Sequence, residues 1–103
     1  MYCLTVIYPQ PDDAEAFKRY YAERHLPLAG SLPGLRRMHH AFPEAIGPGD
    51  VFCIFQAYFD DARAFEAAMN SEIGHEVAGD VPNYSPKGAQ VFHFPLEPGY
   101  EDT

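Results

Sequence analysis

The sequence has no long apolar run, few basic residues and only two cysteines, and each shortage excludes a class of protein. Its apolar runs are short and interrupted by polar residues, and no basic segment precedes an apolar one at the start, so neither a membrane span nor a secretion signal is expected. Seven basic residues against 15 acidic ones give a net charge of -8, which repels nucleic acid and anionic membranes. We therefore expect a cytoplasmic protein that binds neither nucleic acid nor a membrane.

The residue patterns that hold metals or activate a nucleophile are also missing. Cys3 and Cys53 each lie in an apolar strand-like run, so both are expected to be buried free thiols. The sequence has no Cys-x-x-Cys pair, no two histidines four residues apart, no Gly-x-Ser-x-Gly motif and no glycine-rich phosphate loop. It thus predicts no metal site and no cofactor.

The apolar pattern predicts one α+β domain over residues 1–96 and an acidic tail over 97–103. Runs rich in β-branched and aromatic residues predict four strands, at 2–8, 35–42, 51–59 and 88–96. Apolar residues spaced by three and four predict one helix from Asp12 to about Leu28 and another from Asp60. Gly74 and Gly79 indicate that the second helix ends in a looser turn of helix.

The order βαββαβ favours a four-stranded antiparallel sheet with both helices on one face, the ferredoxin-like arrangement. The segments DDAEAF at 12–17 and DDARAF at 60–65 each follow a strand, which is consistent with two βα units. The third strand is apolar on both faces, and alternation places Phe52, Ile54 and Tyr58 on the face away from Cys53 and Phe55. Because the helices cover only one face, we predict a homodimer that packs sheet against sheet.

His25 is the candidate acid–base residue. It shares the apolar stripe of the first helix with Phe17 and Tyr21, and Pro27 follows it, so we expect an inward-facing ring at a break in the helix, beside a cavity. An imidazole in that position can serve as a general acid or base because it titrates near neutral pH. The alternative is a buried histidine that only hydrogen-bonds a carbonyl or the Tyr21 hydroxyl.

Four further residues are candidates for contact with a ligand. Tyr21 and Tyr58 carry hydroxyls that can orient a phenolic or carbonyl substrate, although plain core packing is the alternative for both. His39 and His40 are adjacent on a strand and must point to opposite faces; His40 shares its face with two apolar side chains and is the better candidate, and a surface or dimer-interface position is the alternative for either. His93 either lines the same cavity or lies at the edge of the sheet.

Three segments carry a resemblance to a known family. The stretches YYAERHLPLAGSLPGLRR at 20–37, IFQAYFDDARAFEAAMNSEIG at 54–74 and VAGDVPNY at 77–84 resemble the EthD family of the dimeric α+β barrel superfamily. The resemblance extends over residues 4–96. It implies a homodimer whose two sheets form a barrel, with a pocket between sheet and helices in each subunit, and His25 matches the recurring histidine of the family.

The resemblance implies two functions of different classes. The superfamily includes cofactor-free monooxygenases, isomerases, cyclases and haem-degrading enzymes, and the EthD branch is named for a role in fuel-ether degradation beside an oxygenase system. One hypothesis is a cofactor-independent enzyme of catabolism or secondary metabolism that transfers a proton on, or oxygenates, a small apolar oxygen-bearing molecule. The other is an accessory protein that binds such a molecule without catalysis. A haem-handling protein is less favoured, since its candidate ligand His75 is expected to be exposed beside Glu76.

Overall fold

The computed structural model describes residues 1–99 and has the predicted element order. The strands are β1 (Tyr2–Tyr8), β2 (Arg37–Ala41), β3 (Cys53–Phe59) and β4 (Gln90–Pro95). The helices are α1 (Ala14–Tyr20), α2 (Leu26–Ala29), α3 (Ala62–Asn70) and α4 (Glu72–Tyr84), and a π-helical turn over Tyr21–His25 joins α1 to α2. Of the predicted acidic tail, residues 97–99 are exposed and irregular, and residues 100–103 lie outside the described part.

The four strands form an antiparallel sheet in the order β2-β3-β1-β4, which confirms the ferredoxin-like α+β fold. Leu4 pairs with Ala57 and His93, and these three side chains lie on the face that the helices cover. Thr5 pairs with Gln56 on the opposite, outer face. The core lies between the helices and the helix-covered face.

Both cysteines are buried free thiols, as the sequence predicts. Burial of Cys53 raises the pKa of its thiol to about 11, so the reactive thiolate is scarce near neutral pH. Cys53 is therefore poorly suited to nucleophilic chemistry.

The predicted position of Phe52, on the face of the sheet away from Cys53 and Phe55, is wrong. Strand β3 begins at Cys53, so Phe52 precedes it and does not follow the alternation of its side chains between the two faces of the sheet. Its ring packs edge-on against Phe17 of α1, with ring centroids 5.0 Å apart, and is buried on the helix side.

The two copies of the Asp-Asp-Ala segment begin helices in the same way. The Asp13 carboxylate accepts a hydrogen bond from the backbone N–H of Ala16, and the Asp61 carboxylate accepts one from Ala64. In each copy the second aspartate is thus the N-cap, which satisfies a backbone donor that the helix leaves unpaired.

The predicted loosening of the second helix at Gly74 and Gly79 is wrong. The chain turns earlier, at Ser71, which ends α3 and caps α4 by accepting a hydrogen bond from the Gly74 N–H. Helix α4 then runs through both glycines to Tyr84. As a result, Asp80 and Tyr84 lie one helical turn apart on the same face.

The helix containing His25 widens into a π-helical turn before Pro27, instead of breaking beside His25 as predicted. In the π-helical turn the Leu26 N–H donates to the Tyr21 carbonyl, five residues back instead of four. Leu26 keeps helical angles, with φ -61° and ψ -43°, so the expected departure from helical geometry before Pro27 is not found. The turn ends at His25 and leaves its ring inside the fold.

Candidate functional site

His25 lies at the end of the π-helical turn and is only 3% exposed. The Tyr21 ring stacks on its ring, with centroids 5.3 Å apart and planes at 17°, and the Tyr84 ring lies 4.6 Å away. The ring faces the core, as the helical spacing predicts.

Asp80 of α4 orients the imidazole. The His25 Nδ1–H donates to the Asp80 Oδ2 over 2.9 Å, and the Tyr20 hydroxyl and Asn83 amide donate to Oδ1. Burial by itself raises the pKa of Asp80, but these hydrogen bonds outweigh it and hold the pKa below 3.8. Asp80 is therefore ionised, and it fixes the tautomer in which Nδ1 of His25 carries the proton.

Tyr84 occupies the other nitrogen of His25. With the proton on Nδ1, Nε2 is an acceptor, so the Tyr84 hydroxyl donates to it over 3.0 Å. Tyr84 in turn accepts from the Tyr8 hydroxyl over 2.7 Å. These contacts make a continuous series from Tyr8 through Tyr84 and His25 to Asp80, here called the Tyr–His–Asp chain.

The protonation state of the chain follows from its burial. Burial lowers the pKa of His25 below 6.5, and the Asp80 carboxylate only partly opposes this, so the imidazole is neutral near pH 7. Burial likewise raises the pKa of Tyr84 and of Tyr8, which keeps both hydroxyls neutral. The chain can therefore accept a proton at Nε2 of His25 through Tyr84, and Asp80 would stabilise the resulting imidazolium.

Tyr21 does not donate a hydrogen bond to His25, although the alternative of a plain buried histidine allowed it as a partner. Its hydroxyl is buried and has no hydrogen-bond partner within the described residues. Burial raises the pKa of Tyr21, so the group is a neutral hydroxyl. Tyr21 contributes to the site through the stacked ring.

A groove of about 430 Å³ opens beside the Tyr–His–Asp chain, between the start of α1 and the end of α4. Its apolar walls are three prolines, three aromatic rings and one alanine: Pro9, Pro11, Pro86, Phe17, Tyr20, Tyr84 and Ala16. The expected direct contact between the His25 ring and this cavity is wrong. Tyr84 lies between them, lining the groove and donating to His25.

His40 joins His25 and Tyr21 on the helix-covered face. Its ring meets the edge of the Tyr21 ring at a centroid distance of 5.6 Å. His39 points to the outer face, where its Nε2 lies 3.0 Å from the Gln56 Oε1. The predicted division of the two neighbouring histidines between the faces is confirmed.

Tyr58 and His93 lie away from this cluster: Tyr58 is outside the predicted pocket, and His93 has the sheet-edge position, one of the two alternatives that the sequence left open. Tyr58 faces the outer side of the sheet, where its hydroxyl donates to Gln56. His93 is on the helix-covered face but on edge strand β4, where its ring stacks on Phe65 and its Nδ1 lies 2.7 Å from the Tyr2 hydroxyl. Tyr58 is separated from the site because the alternation of β3 places it on the outer face. His93 is separated because its strand, β4, lies at the edge of the sheet.

Sequence reasoning assigned no role to Asp80, Tyr84, Tyr8 or Tyr20. The signal that could have identified two of them is the segment VAGDVPNY, in which Asp80 and Tyr84 are four residues apart. That spacing places both on one helix face, but the segment was not expected to continue a regular helix.

His75 is exposed on α4, away from the core. Across residues 1–99, no group of three or more His, Cys, Asp or Glu side chains is placed to hold a metal ion. In the same part of the chain, no helix combines the length and the apolar character needed to cross a membrane.

The sheet topology and the buried Tyr–His–Asp chain define a small ferredoxin-like α+β protein with an acid–base cluster under its helices. The chain belongs to the EthD domain family, whose model matches residues 10–88.

Similar proteins of known sequence or structure support this assignment. An EthD family protein of Bacillus halodurans superposes with a TM-score of 0.86 at 26% identity, covering 94% of this chain and 99% of the other. An uncharacterised 11.0 kDa protein from the thcB-thcC intergenic region of Rhodococcus erythropolis is 29% identical over 93 residues, which span 88% of this chain and 90% of that protein. A dimeric ferredoxin-like protein of Thermobifida fusca, of unknown function, shares the fold alone, with a TM-score of 0.69 at 10% identity and coverage of 92% and 89%.

Proposed function

We propose that the protein is a cofactor-free acid–base catalyst that removes the proton from a phenolic or enolic hydroxyl of a small aromatic molecule bound in the groove. One observation carries this proposal. Tyr84 lines the groove and at the same time donates its hydroxyl hydrogen to Nε2 of the buried, neutral His25.

The proton moves in one concerted relay. The ligand hydroxyl donates to the Tyr84 oxygen, and its proton passes to that oxygen as the Tyr84 proton passes to Nε2 of His25. The O–H bonding pair stays on the ligand as a phenolate or enolate, Tyr84 remains a neutral hydroxyl, and His25 becomes an imidazolium beside the Asp80 carboxylate. His25 is thus the base, and Asp80 is its positioning residue.

The groove favours a small, flat and mostly apolar ligand. Its volume of about 430 Å³ lies at the lower end of the range of about 300–1,000 Å³ that is usual for small-molecule sites. Proline rings and aromatic faces suit an aromatic ring. The ionised product has two uses: it can take a proton back on carbon, which completes a tautomerisation, or it can donate an electron to O₂ and so begin an oxygenation.

The ketonisation of enolic benzoylacetone tests the proposal, because this aromatic diketone needs only proton transfer. Wild type is expected to accelerate the reaction over buffer, and His25→Gln and Tyr84→Phe are expected to lose at least about 100-fold of that acceleration. The analogue of benzoylacetone dimethylated at the carbon between its carbonyls cannot form the conjugated enol, so it measures binding without this reaction, and its affinity should be retained in both variants. No acceleration by folded wild type, or full activity in folded His25→Gln, would overturn the proposal.

A binding protein without catalysis is the second candidate, and the 3% exposure of His25 favours it. On this alternative the Tyr–His–Asp chain only satisfies buried polar groups beneath the groove. The protein would then bind the dimethyl analogue yet leave the rate of ketonisation at its value in buffer.

We also propose a homodimer formed through the outer face of the sheet. Phe92 and Phe94 of β4 are exposed there, on the same face as the half-buried Ile54 and Tyr58 of β3, with β1 between the two strands. An exposed apolar surface of this kind is typical of an interface. The Thermobifida fusca protein of the same fold is dimeric, which supports a dimer here but does not bear on the face through which it forms.

A further inference from the structure

Most polar groups that line the groove already have partners within the protein. The Asp13 carboxylate accepts from the N–H of Ala16, and the Ser85 hydroxyl donates to the Gly88 carbonyl. The Tyr20 hydroxyl and the Asn83 amide both donate to Asp80. These groups offer little to a second polar atom on a ligand.

Lys87 is different because its exposed ammonium keeps a donor. Its ammonium contacts the Asp12 Oδ1 at 3.1 Å and donates to the Gln10 carbonyl at 3.2 Å. An ammonium has three N–H donors, and within residues 1–99 the third has no partner. Lys87 follows α4, and both partners precede α1, so the ammonium lies at the rim of the groove.

The other half of the fold provides an internal comparison. Asp60 occupies the position in the second Asp-Asp-Ala segment that Asp12 occupies in the first, and its partner Arg36 directly precedes β2. Arg36 Nε and Nη2 donate to the two Asp60 oxygens over 2.9 and 2.8 Å, a closed bidentate pair. The Asp12–Lys87 pair involves a single carboxylate oxygen and leaves the ammonium free to bind more.

We propose that Lys87 binds the anion formed in the groove, and that the substrates are conjugated hydroxy-carbonyl compounds with the hydroxyl at Tyr84 and the carbonyl oxygen at Lys87. This inference rests on the proposed function and specifies its substrate class. When the proton leaves through Tyr84, the electron pair delocalises through the ring to the carbonyl oxygen. The ammonium of Lys87 stabilises the charge that develops there.

Among the described residues that line the groove, Lys87 is the only cation. The titratable side chains facing the groove are Asp12, Asp13, Tyr20, Tyr84 and Lys87, and Asp50 shares a neighbouring cavity with Lys87. Without Lys87, the groove would present carboxylates and neutral hydroxyls, which repel an anion or fail to stabilise it. A folded protein lacking this ammonium should therefore still bind neutral ligands but reject their ionised forms.

Para-nitrophenol is a suitable probe, since its ionised form is coloured and carries part of its charge on the distant nitro group. With wild type, we expect bound para-nitrophenol to ionise about tenfold more readily than in free solution, which is at the lower end of the effect of a nearby opposite charge. Lys87→Met should abolish this gain. Arg36→Met is the matched control, because it removes the equivalent ion pair and one positive charge outside the groove, and it should keep the gain.

Para-nitroanisole, which cannot ionise, separates this inference from the proposed function. It should bind wild type and Lys87→Met with the same affinity and perturb the NMR signals of groove residues in both. If para-nitroanisole binds and Lys87→Met ionises para-nitrophenol as readily as wild type does, the proposed role of Lys87 is refuted. The groove would then remain the proposed binding site. If neither probe binds folded wild type, the proposed function fails together with this inference.

Discussion

At the scale of single residues, Tyr21 and Tyr84 contact the same imidazole in different ways. Both rings pack on His25, but only the Tyr84 hydroxyl has hydrogen-bond partners, namely His25 and Tyr8. The Tyr21 hydroxyl is buried without one within the described residues. An unsatisfied buried hydroxyl opposes folding, whereas a satisfied one supports it.

Removing each hydroxyl should thus have opposite effects on stability. Tyr21→Phe is expected to leave the free energy of unfolding unchanged or raise it by up to about 1 kcal/mol. Tyr84→Phe leaves acceptor Nε2 of His25 unpaired in the core and should lower it by about 1–3 kcal/mol. Urea denaturation measures both, and equal destabilisation by the two changes would mean that the Tyr21 hydroxyl has a partner in solution.

The pKa of His25 predicts how stability depends on pH. Because burial lowers the pKa of the folded state below the unfolded value of 6.5, the unfolded chain takes up a proton first as the pH falls. The contribution of His25 is therefore fully present above pH 6.5 and is lost as the pH drops below that value toward the folded pKa. The pKa of Asp80 stays below 3.8, so its own titration lies at lower pH.

Unfolding measured from pH 8 to pH 5 should show a stability decrease in wild type that is absent or much smaller in His25→Gln. An NMR titration of the His25 ring checks the cause directly, since the folded protein should titrate below 6.5. A His25 pKa above 6.5 would reverse the sign of the effect and contradict a neutral base.

At the scale of elements, two glycines of α4 have different reasons to be present. A Cβ at Gly74 would lie 2.2 Å from the Ala68 carbonyl oxygen and 2.6 Å from that of Met69, because α3 and α4 meet closely there. A Cβ at Gly79 would meet nothing within 4 Å. Gly74 is required by the close approach of two backbones, and Gly79 only lowers the helix propensity of α4.

Gly74→Ala is expected to lower the free energy of unfolding by at least about 2 kcal/mol, since backbone atoms must shift to relieve the clash. Gly79→Ala should raise it by about 0.5–1 kcal/mol, the helix-propensity difference between alanine and glycine. Urea denaturation of the two variants checks the continuous α4. Destabilisation by Gly79→Ala would indicate that the helix ends earlier.

At the scale of the whole molecule, the outer sheet face predicts the oligomeric state. We expect sedimentation to show a dimer at micromolar concentration, with an interface above about 1,500 Å² in total. Replacing Phe92 and Phe94 together by lysine should produce a monomer, because the two charges would be buried in the interface. Ile46→Lys, at a fully exposed loop position, is the control and should remain a dimer. A wild-type monomer would refute the proposal.

Strands, helix starts and the direction of side chains along one element could be predicted from the sequence, because they depend on neighbouring residues. Runs rich in β-branched and aromatic residues specified the four strands, spacings of three and four specified the helix on which His25 faces inward, and the repeated Asp-Asp-Ala segment marked both helix starts. The opposite faces of His39 and His40 follow from the same local geometry. Each of these follows from the repeat of a helix or strand, which a few consecutive residues define.

The contacts between side chains at the site could not be predicted from the sequence. His25 and Asp80 are 55 residues apart, and Tyr8 and Tyr84 are 76 apart, so their contacts exist only once α4 packs over the π-helical turn and β1. The same packing places Tyr84 between His25 and the groove. Local periodicity sets the direction of a side chain along its own element, but the partner it reaches depends on how distant elements pack, which no short stretch of sequence encodes.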